Sequence, residues 1–397
     1  MDQLETRVQR RLAEWEAAGL LRVLRPPAGF DFSSNDYLNL SSHPIIVERL
    51  ARAVRREGCG STGSRLLRGD RDIFASVERR FADFKRTERS LYFSSGYLAN
   101  ISVMTTLAER GDVVFSDESN HASLIDGIRL SAATRIVFPH NDVRRLAQLL
   151  AETQVDVADV VDTGDVVHRG HRFVVVESLF SMDGDFAPLS EYAALCRSAG
   201  ASLIVDEAHA VGIYGASGSG LIDASGVADD VLVSINTAGK ALGVSGAFVA
   251  GPRWAIEYLI QRARPFVFST APPPPLADAL DASLDVIAAE PERRDRLASR
   301  VRHVRDRLAR AGIAVSAEGS QIIPIAIGDN DRAVAVALAL QADGFDVRAI
   351  RPPSVPPGTA RLRVSVNAAL SDETIERFAV SVAAALKEVG LCSAGSS

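Results

Sequence analysis

Residues 202–212 read SLIVDEAHAVG. A short run of branched apolar residues stops at an aspartate, and a polar cluster and a glycine follow. This pattern predicts a strand buried on both faces, with its polar residues gathered at the carboxyl end. The same grammar recurs in DVVFSDESNH (112–121), RFVVVESLFSMDGD (172–185) and DVLVSINTAGK (230–240). Helical patterns such as LSEYAALCRSAG separate the runs. Strands of this kind alternating with helices predict an α/β fold built on a mainly parallel sheet. Open α/β sheets bind ligands outside the carboxyl ends of their strands, where these polar clusters fall.

Outward from this core, residues 1–24 read as an amphipathic helix closed by Pro26 and Pro27. FDFSSNDYLNLSSHP then reads as a polar, irregular connector, which gives an N-terminal region over 1–44. The large α/β domain is expected over 45–275. A single long helical stretch, LADALDASLDVIAAEPERRDRLASRVRHVRDRLARAG, opens a smaller C-terminal domain of α+β type over 276–391. The tail 392–397 is expected to be disordered.

Bulk properties exclude several classes. With 47% hydrophobic and 24% charged residues the chain has the composition of a globular protein. A net charge of −6 argues against general binding to nucleic acid or acidic membrane. Cys59, Cys196 and Cys392 are too few and too scattered for a disulfide framework or a zinc site. The mixed charges of the N-terminus are not those of a secretory signal, and no run approaches the ~18 apolar residues of a membrane span. A soluble, cytoplasmic protein is expected, with no nucleic-acid, membrane or metal partner.

The lysines narrow the chemistry. Of 44 basic residues only Lys85, Lys240 and Lys387 are lysine. A chain that uses arginine wherever a positive charge suffices keeps lysine where guanidinium will not serve. An amine can lose its proton and attack a carbonyl, whereas guanidinium cannot. Lys85, in DFKRTER, and Lys387, in AALKEVGL, read as solvated surface charges. Lys240 lies among small residues at the end of an apolar run.

Taken singly, Asp206 passes for a helix cap, His209 for a core-edge histidine and Lys240 for a surface charge. Together they bring a carboxylate, an imidazole and an amine to neighbouring strand ends. Pyridoxal phosphate chemistry uses this set: the lysine holds the cofactor as an imine and the carboxylate keeps the pyridine nitrogen protonated. The letters DEAH also fit a nucleotide-hydrolysing motor. That reading needs GxxxxGK[ST] upstream. The one Gly-Lys pair, Gly239–Lys240, lies downstream, with Ser234 and Ala241 where the loop needs glycine and a hydroxyl residue.

The ordered segments GSTGSR, FSSGYLAN, NHASLIDG, ESLFSMDGD, VDEAHAVGIYG, TAGKALG and FSTAPPP resemble the α-oxoamine synthases, fold-type I pyridoxal phosphate enzymes. FSSNDYL, GVSGAF and RPPSVPPGTARLR are most similar to the member that condenses alanine with a pimeloyl thioester in biotin synthesis. Glycine-using members tend to carry a second glycine where this chain has Ser-Gly-Ala at 245–247. A changed amino acid or acyl thioester within the family is the alternative.

The resemblance implies a role for each site residue. Lys240 would bind the cofactor and move the α-proton, Asp206 would pair with the ring nitrogen, and His209 would bond the phenolic oxygen. His121 would stack on the ring, with Ser181 beside it. Gly96, Tyr97 and Thr237 would hold the phosphate. Ser269 and Thr270 would reach the phosphate of a neighbouring subunit, which implies a homodimer with shared active sites. Arg363, or Arg361 two residues before it, would hold the substrate carboxylate. Arg22 and Ser354 match positions near the acyl group, which would arrive on coenzyme A or an acyl carrier protein.

Overall fold

The structure, a computed structural model, describes residues 2–153 and 170–391. The tail expected over 392–397 lies outside the described residues. Numbered along the chain, the strands are β1 (Phe30–Asp31), β2 (Arg89–Phe93), β3 (Val113–Asp117), β4 (Thr134–Phe138), β5 (Arg172–Glu177) and β6 (Ser202–Asp206). They continue with β7 (Val231–Thr237), β8 (Ala247–Gly251), β9 (Ile322–Gly328), β10 (Phe345–Asp346), β11 (Ala349–Ile350) and β12 (Ala360–Ser365).

Seven strands form one sheet in the order β2-β8-β7-β6-β5-β3-β4. Neighbours pair in parallel from β7 through β4, while β8 runs against both β7 and β2. The sheet is therefore mainly parallel, as the apolar runs predict. Side chains alternate between its two faces. Val175, Ile204 and Val233 pack with helices Gly96–Leu107 and Arg253–Arg262. Val174, Val176, Leu203 and Val205 pack with helices Val143–Glu152 and Leu189–Ala199. Burial on both faces explains why these strands read as continuous apolar runs.

The chain divides into two compact units. Among the described residues the larger holds 38–153, 170–180 and 186–294; the smaller holds 2–37, 181–185 and 295–391. The sequence placed the limits of the large region at 45 and 275, whereas the compact units change over at Tyr37–Leu38 and Arg294–Asp295. The smaller unit carries the antiparallel sheet β11-β12-β9 and the parallel pair β1-β10.

Three expectations need correction. The N-terminal helix spans Gln3–Ala17 and not 1–24. Gly19 enters the left-handed region at φ 64°, and Leu20 N–H bonds back to Trp15 O, a stop that a residue with a Cβ takes up poorly. The long helical stretch is two helices, Pro274–Ala289 and Glu292–Arg310. Pro291 has no N–H to continue the ladder, and its ring disfavours helical backbone at Glu290. The connector FDFSSNDYL is polar only in part, because Phe32 and Tyr37 are fully buried and Phe32 stacks on Phe378 with ring centroids 3.9 Å apart. Its turn chemistry holds, since Asp31 Oδ1 accepts from the N–H groups of Ser33 and Ser34.

Candidate active site

The larger unit brings the carboxyl ends of β5, β6 and β7 side by side. Asp206 is the last residue of β6, and His209 sits in the turn that follows. Lys240 lies three residues beyond β7. Lys240 Nζ stands 2.8 Å from His209 Nε2, so the amine and imidazole chosen from sequence meet directly. His209 and Asp206 are both buried. Lys240 is half-buried, which leaves its amine within reach of a ligand.

Asp206 is held from two sides. Its Oδ1 accepts from Ala208 N–H at 2.8 Å, and its Oδ2 accepts from Asn100 Nδ2 at 2.7 Å. His121 caps helix Ala122–Leu130, and its Nδ1 lies 2.7 Å from Ser123 Oγ. The His121 side chain remains exposed, while the protein packed around the ring lowers its pKa, mainly by desolvation, against the raising effect of Asp206. Asn120 braces the turn before it, with Nδ2 donating to Val175 O at 2.7 Å.

Thr237 closes β7 next to the first turn of helix Gly96–Leu107. A Cβ at position 96 would collide with Thr237 Oγ1, so only glycine lets this helix N-terminus and the hydroxyl come together. Ser95 caps the helix through Leu98 N–H. Free backbone N–H groups at such a terminus, with a hydroxyl beside them, favour an anion such as phosphate. Tyr97 is exposed, and its OH donates to Asp126 Oδ2.

The donor set fits pyridoxal phosphate: an amine for its aldehyde, a carboxylate for its ring nitrogen and the Gly96–Thr237 cradle for its phosphate. Ser269 and Thr270 lie in the segment between helices Arg264–Val267 and Pro274–Ala289, with Thr270 exposed.

Sequence reasoning missed two residues here. Glu177 ends β5 directly beside Asp206 in the sheet register, is buried, and accepts from His121 N–H. Burial pushes its pKa up to about 8; Asp206 adds to the rise and Lys240 opposes it. Its signal was a carboxylate closing the VVVE run. Asn100, in SSGYLAN, had no signal beyond its place on the helix.

The smaller unit presents the other predicted residues. Arg361 and Arg363 both lie on β12. Arg361 forms an ion pair with Asp183. Arg363 is buried, and its partners are four neutral oxygens: Ser181 O, Ser365 Oγ, Asn35 Oδ1 and Tyr37 OH. Ser181 thus contacts Arg363 through its carbonyl. Arg22 and Ser354 both line a cavity of about 440 Å³ whose wall also includes Arg25, Arg348 and Arg351.

Two lysine readings separate. Lys387 is exposed, as expected. Lys85 is not a surface charge: it is buried and paired with Glu207, because the last turn of its helix packs against the segment after β6.

Residues 27–382 match the family described as aminotransferase class I and II. The chain is 46% identical over 387 residues to an 8-amino-7-oxononanoate synthase of Anaeromyxobacter dehalogenans, covering 94% of each chain. Among solved structures, a serine palmitoyltransferase from S. paucimobilis with a bound PLP–myriocin aldimine matches with a TM-score of 0.88 and 27% identity, over 99% of this chain and 100% of that one. An 8-amino-7-oxononanoate synthase from Francisella tularensis matches with a TM-score of 0.75 and 28% identity, over 91% of this chain and 98% of that one. Among the described residues, no helix is long and apolar enough to cross a membrane.

Proposed function

We propose, for a chain that belongs to the aminotransferase class I and II family and within it to the α-oxoamine synthases, that it is an 8-amino-7-oxononanoate synthase. Its cofactor is pyridoxal 5′-phosphate. The reaction joins L-alanine to a pimeloyl thioester and yields 8-amino-7-oxononanoate, carbon dioxide and the free thiol carrier, in biotin synthesis. The observation that carries the reading is the contact of Lys240 with His209 beside the buried Asp206, in a chain so similar over its length to enzymes of that name.

When bound, pyridoxal phosphate supplies a ring that accepts the electron pair left as the α-proton departs. The chain's own residues do the rest. Lys240 is the amine that holds the cofactor and afterwards carries the α-proton. His209, 2.8 Å from it, would orient that amine and donate to the phenolic oxygen. Asp206 has two donors already fixed on it and would hold the proton on the ring nitrogen. His121 would pack against the ring, and Ser181 is proposed as a further contact of the cofactor. The N–H groups at Gly96 and Tyr97, with Thr237, would hold the phosphate.

Arg363 binds the amino-acid carboxylate. Among the described residues this buried guanidinium meets only neutral oxygens, and a bidentate carboxylate would supply a counterion. Arg361 is already neutralised by Asp183. The cavity lined by Arg22 and Ser354 takes the acyl substrate, delivered by coenzyme A or an acyl carrier protein. Ser269 and Thr270 serve the phosphate of a second subunit in a cytoplasmic homodimer.

The likeness to serine palmitoyltransferase supports one competing pair, serine with a long acyl thioester. Purified protein assayed with alanine, glycine or serine against pimeloyl, acetyl, succinyl and palmitoyl thioesters separates the readings. Alanine with the pimeloyl thioester is expected to give the highest kcat/KM. A higher value for serine with the palmitoyl thioester overturns the proposal.

A further inference from the structure

We propose that Asn100 is a positioning residue that holds Asp206 as an acceptor and, through Ser123, locks His121 in one tautomer. The inference rests on the roles of Asp206 and His121 proposed above. The buried amide of Asn100 directs both hydrogens of Nδ2 to named acceptors, Asp206 Oδ2 at 2.7 Å and Ser123 Oγ at 2.8 Å. A carboxylate can only accept, so the amide must present its nitrogen there. The direction of every later bond follows.

Ser123 Oγ has accepted from Asn100, so its own hydrogen is free for His121 Nδ1, 2.7 Å away. Ser123 N–H points to the same Nδ1 at 3.2 Å. Two donors on one ring nitrogen require its lone pair, which puts the single proton of the neutral imidazole on Nε2. One amide thus sets the donors on the carboxylate and the protonation of the histidine together.

The other end of the amide shows what Asn100 is kept for. Its Oδ1 is buried and has no hydrogen-bond partner among the described residues. An unpaired buried carbonyl is a cost that leucine at this position would avoid. The residue retains two well-directed donors at the expense of an orphaned acceptor, which is expected of a group selected for orientation and not for packing.

The test reads the tautomer directly. Long-range 1H–15N spectra of ring-labelled protein at pH 8 report which imidazole nitrogen carries the proton, with the His121 signals assigned by their loss in His121→Asn. The wild type is expected to show His121 protonated on Nε2 alone. Asn100→Leu removes both donors and Ser123→Ala removes the hydroxyl; each is expected to give a mixture of the two tautomers. The variants should differ in cofactor affinity, measured by fluorescence titration of the apoprotein. Asn100→Leu should lose about tenfold, the scale of one hydrogen bond to a charged group, and Ser123→Ala less.

An unchanged Nε2–H tautomer in a folded Asn100→Leu protein overturns the proposal. If that variant does not fold, the same result in Ser123→Ala overturns it. These signals are read without substrate, so a failed condensation assay beside a shifted tautomer counts against the proposed function and leaves the role of Asn100 standing.

Discussion

Lys85 and Glu207 form an ion pair that solvent scarcely reaches, with 3% of the lysine side chain exposed and none of the glutamate's. Lys85 Nζ also donates to Ser219 O, while Glu207 Oε1 accepts from Ile222 N–H at 2.9 Å. The pair therefore ties the end of helix Asp72–Lys85 to both ends of the segment 207–222, which follows Asp206 and contains His209. The compact ammonium of lysine, a point charge with rotatable donors, suits this closed site between a carboxylate and a carbonyl.

Lys85→Met should destabilise the protein by about 3–5 kcal/mol, because it strands a carboxylate in the interior. Adding Glu207→Leu should restore much of the loss, since a buried pair exchanged for apolar residues is often close to neutral. Urea unfolding of the two single variants and the double variant measures this. A double variant as unstable as the sum of the singles would show that the two residues act independently.

Lys240→Arg keeps the charge but not the nucleophile. It should remove the visible absorbance of the lysine-bound cofactor and lower kcat by about a thousandfold or more. Survival of both absorbance and turnover would take the central role away from Lys240.

The two arginines of β12 should separate kinetically. Arg363→Ala is expected to raise KM for the amino acid by about 10–100-fold, the worth of charge-assisted hydrogen bonds in a buried site. Arg361→Ala should affect KM for the amino acid little, because that guanidinium is engaged with Asp183. Steady-state kinetics with alanine as the varied substrate decides between them, and a larger KM effect at Arg361 would reverse the assignment.

Glu177 gives a pH dependence whose sign can be worked out. Burial raises its folded pKa to about 8 from the ordinary 4.5 of a glutamate, so between those values the folded chain holds a proton that the unfolded chain has released. The contribution of this proton to stability is fully present below the unfolded value and is lost as pH rises through the folded one. Glu177→Gln should remove a fall of up to about 1.4 kcal/mol per pH unit across that window. Unfolding free energies of wild type and variant from pH 5 to 9 provide the check; parallel curves would place the Glu177 titration outside this range.

Much of this was legible along the chain. β3, β5, β6 and β7 are continuous apolar runs because a parallel sheet covered by helices buries both faces of each strand. The polar residues at and just after the end of each run mark the rim of the sheet, so Asp206, His209 and Lys240 could be placed there, although only their combination and the scarcity of lysine pointed to a chemistry. β4 was harder to see, since it lies at the edge of the sheet and buries little beyond Phe138. β8 was read only as a motif, GVSGAF, and its reversed direction depends on pairing with β7 and β2.

Local sequence thus determined the parallel core, the residues at its rim and the amine suited to covalent chemistry, because strand burial and lysine's reactivity are properties of single segments. Tertiary structure alone decided that Lys85 is buried, that Arg361 is paired with Asp183 while Arg363 meets only neutral oxygens among the described residues, and that Asn100 joins Asp206 to Ser123. In each of these the chemistry of a side chain is set by partners many residues away, and only the packed chain brings such partners within hydrogen-bonding distance.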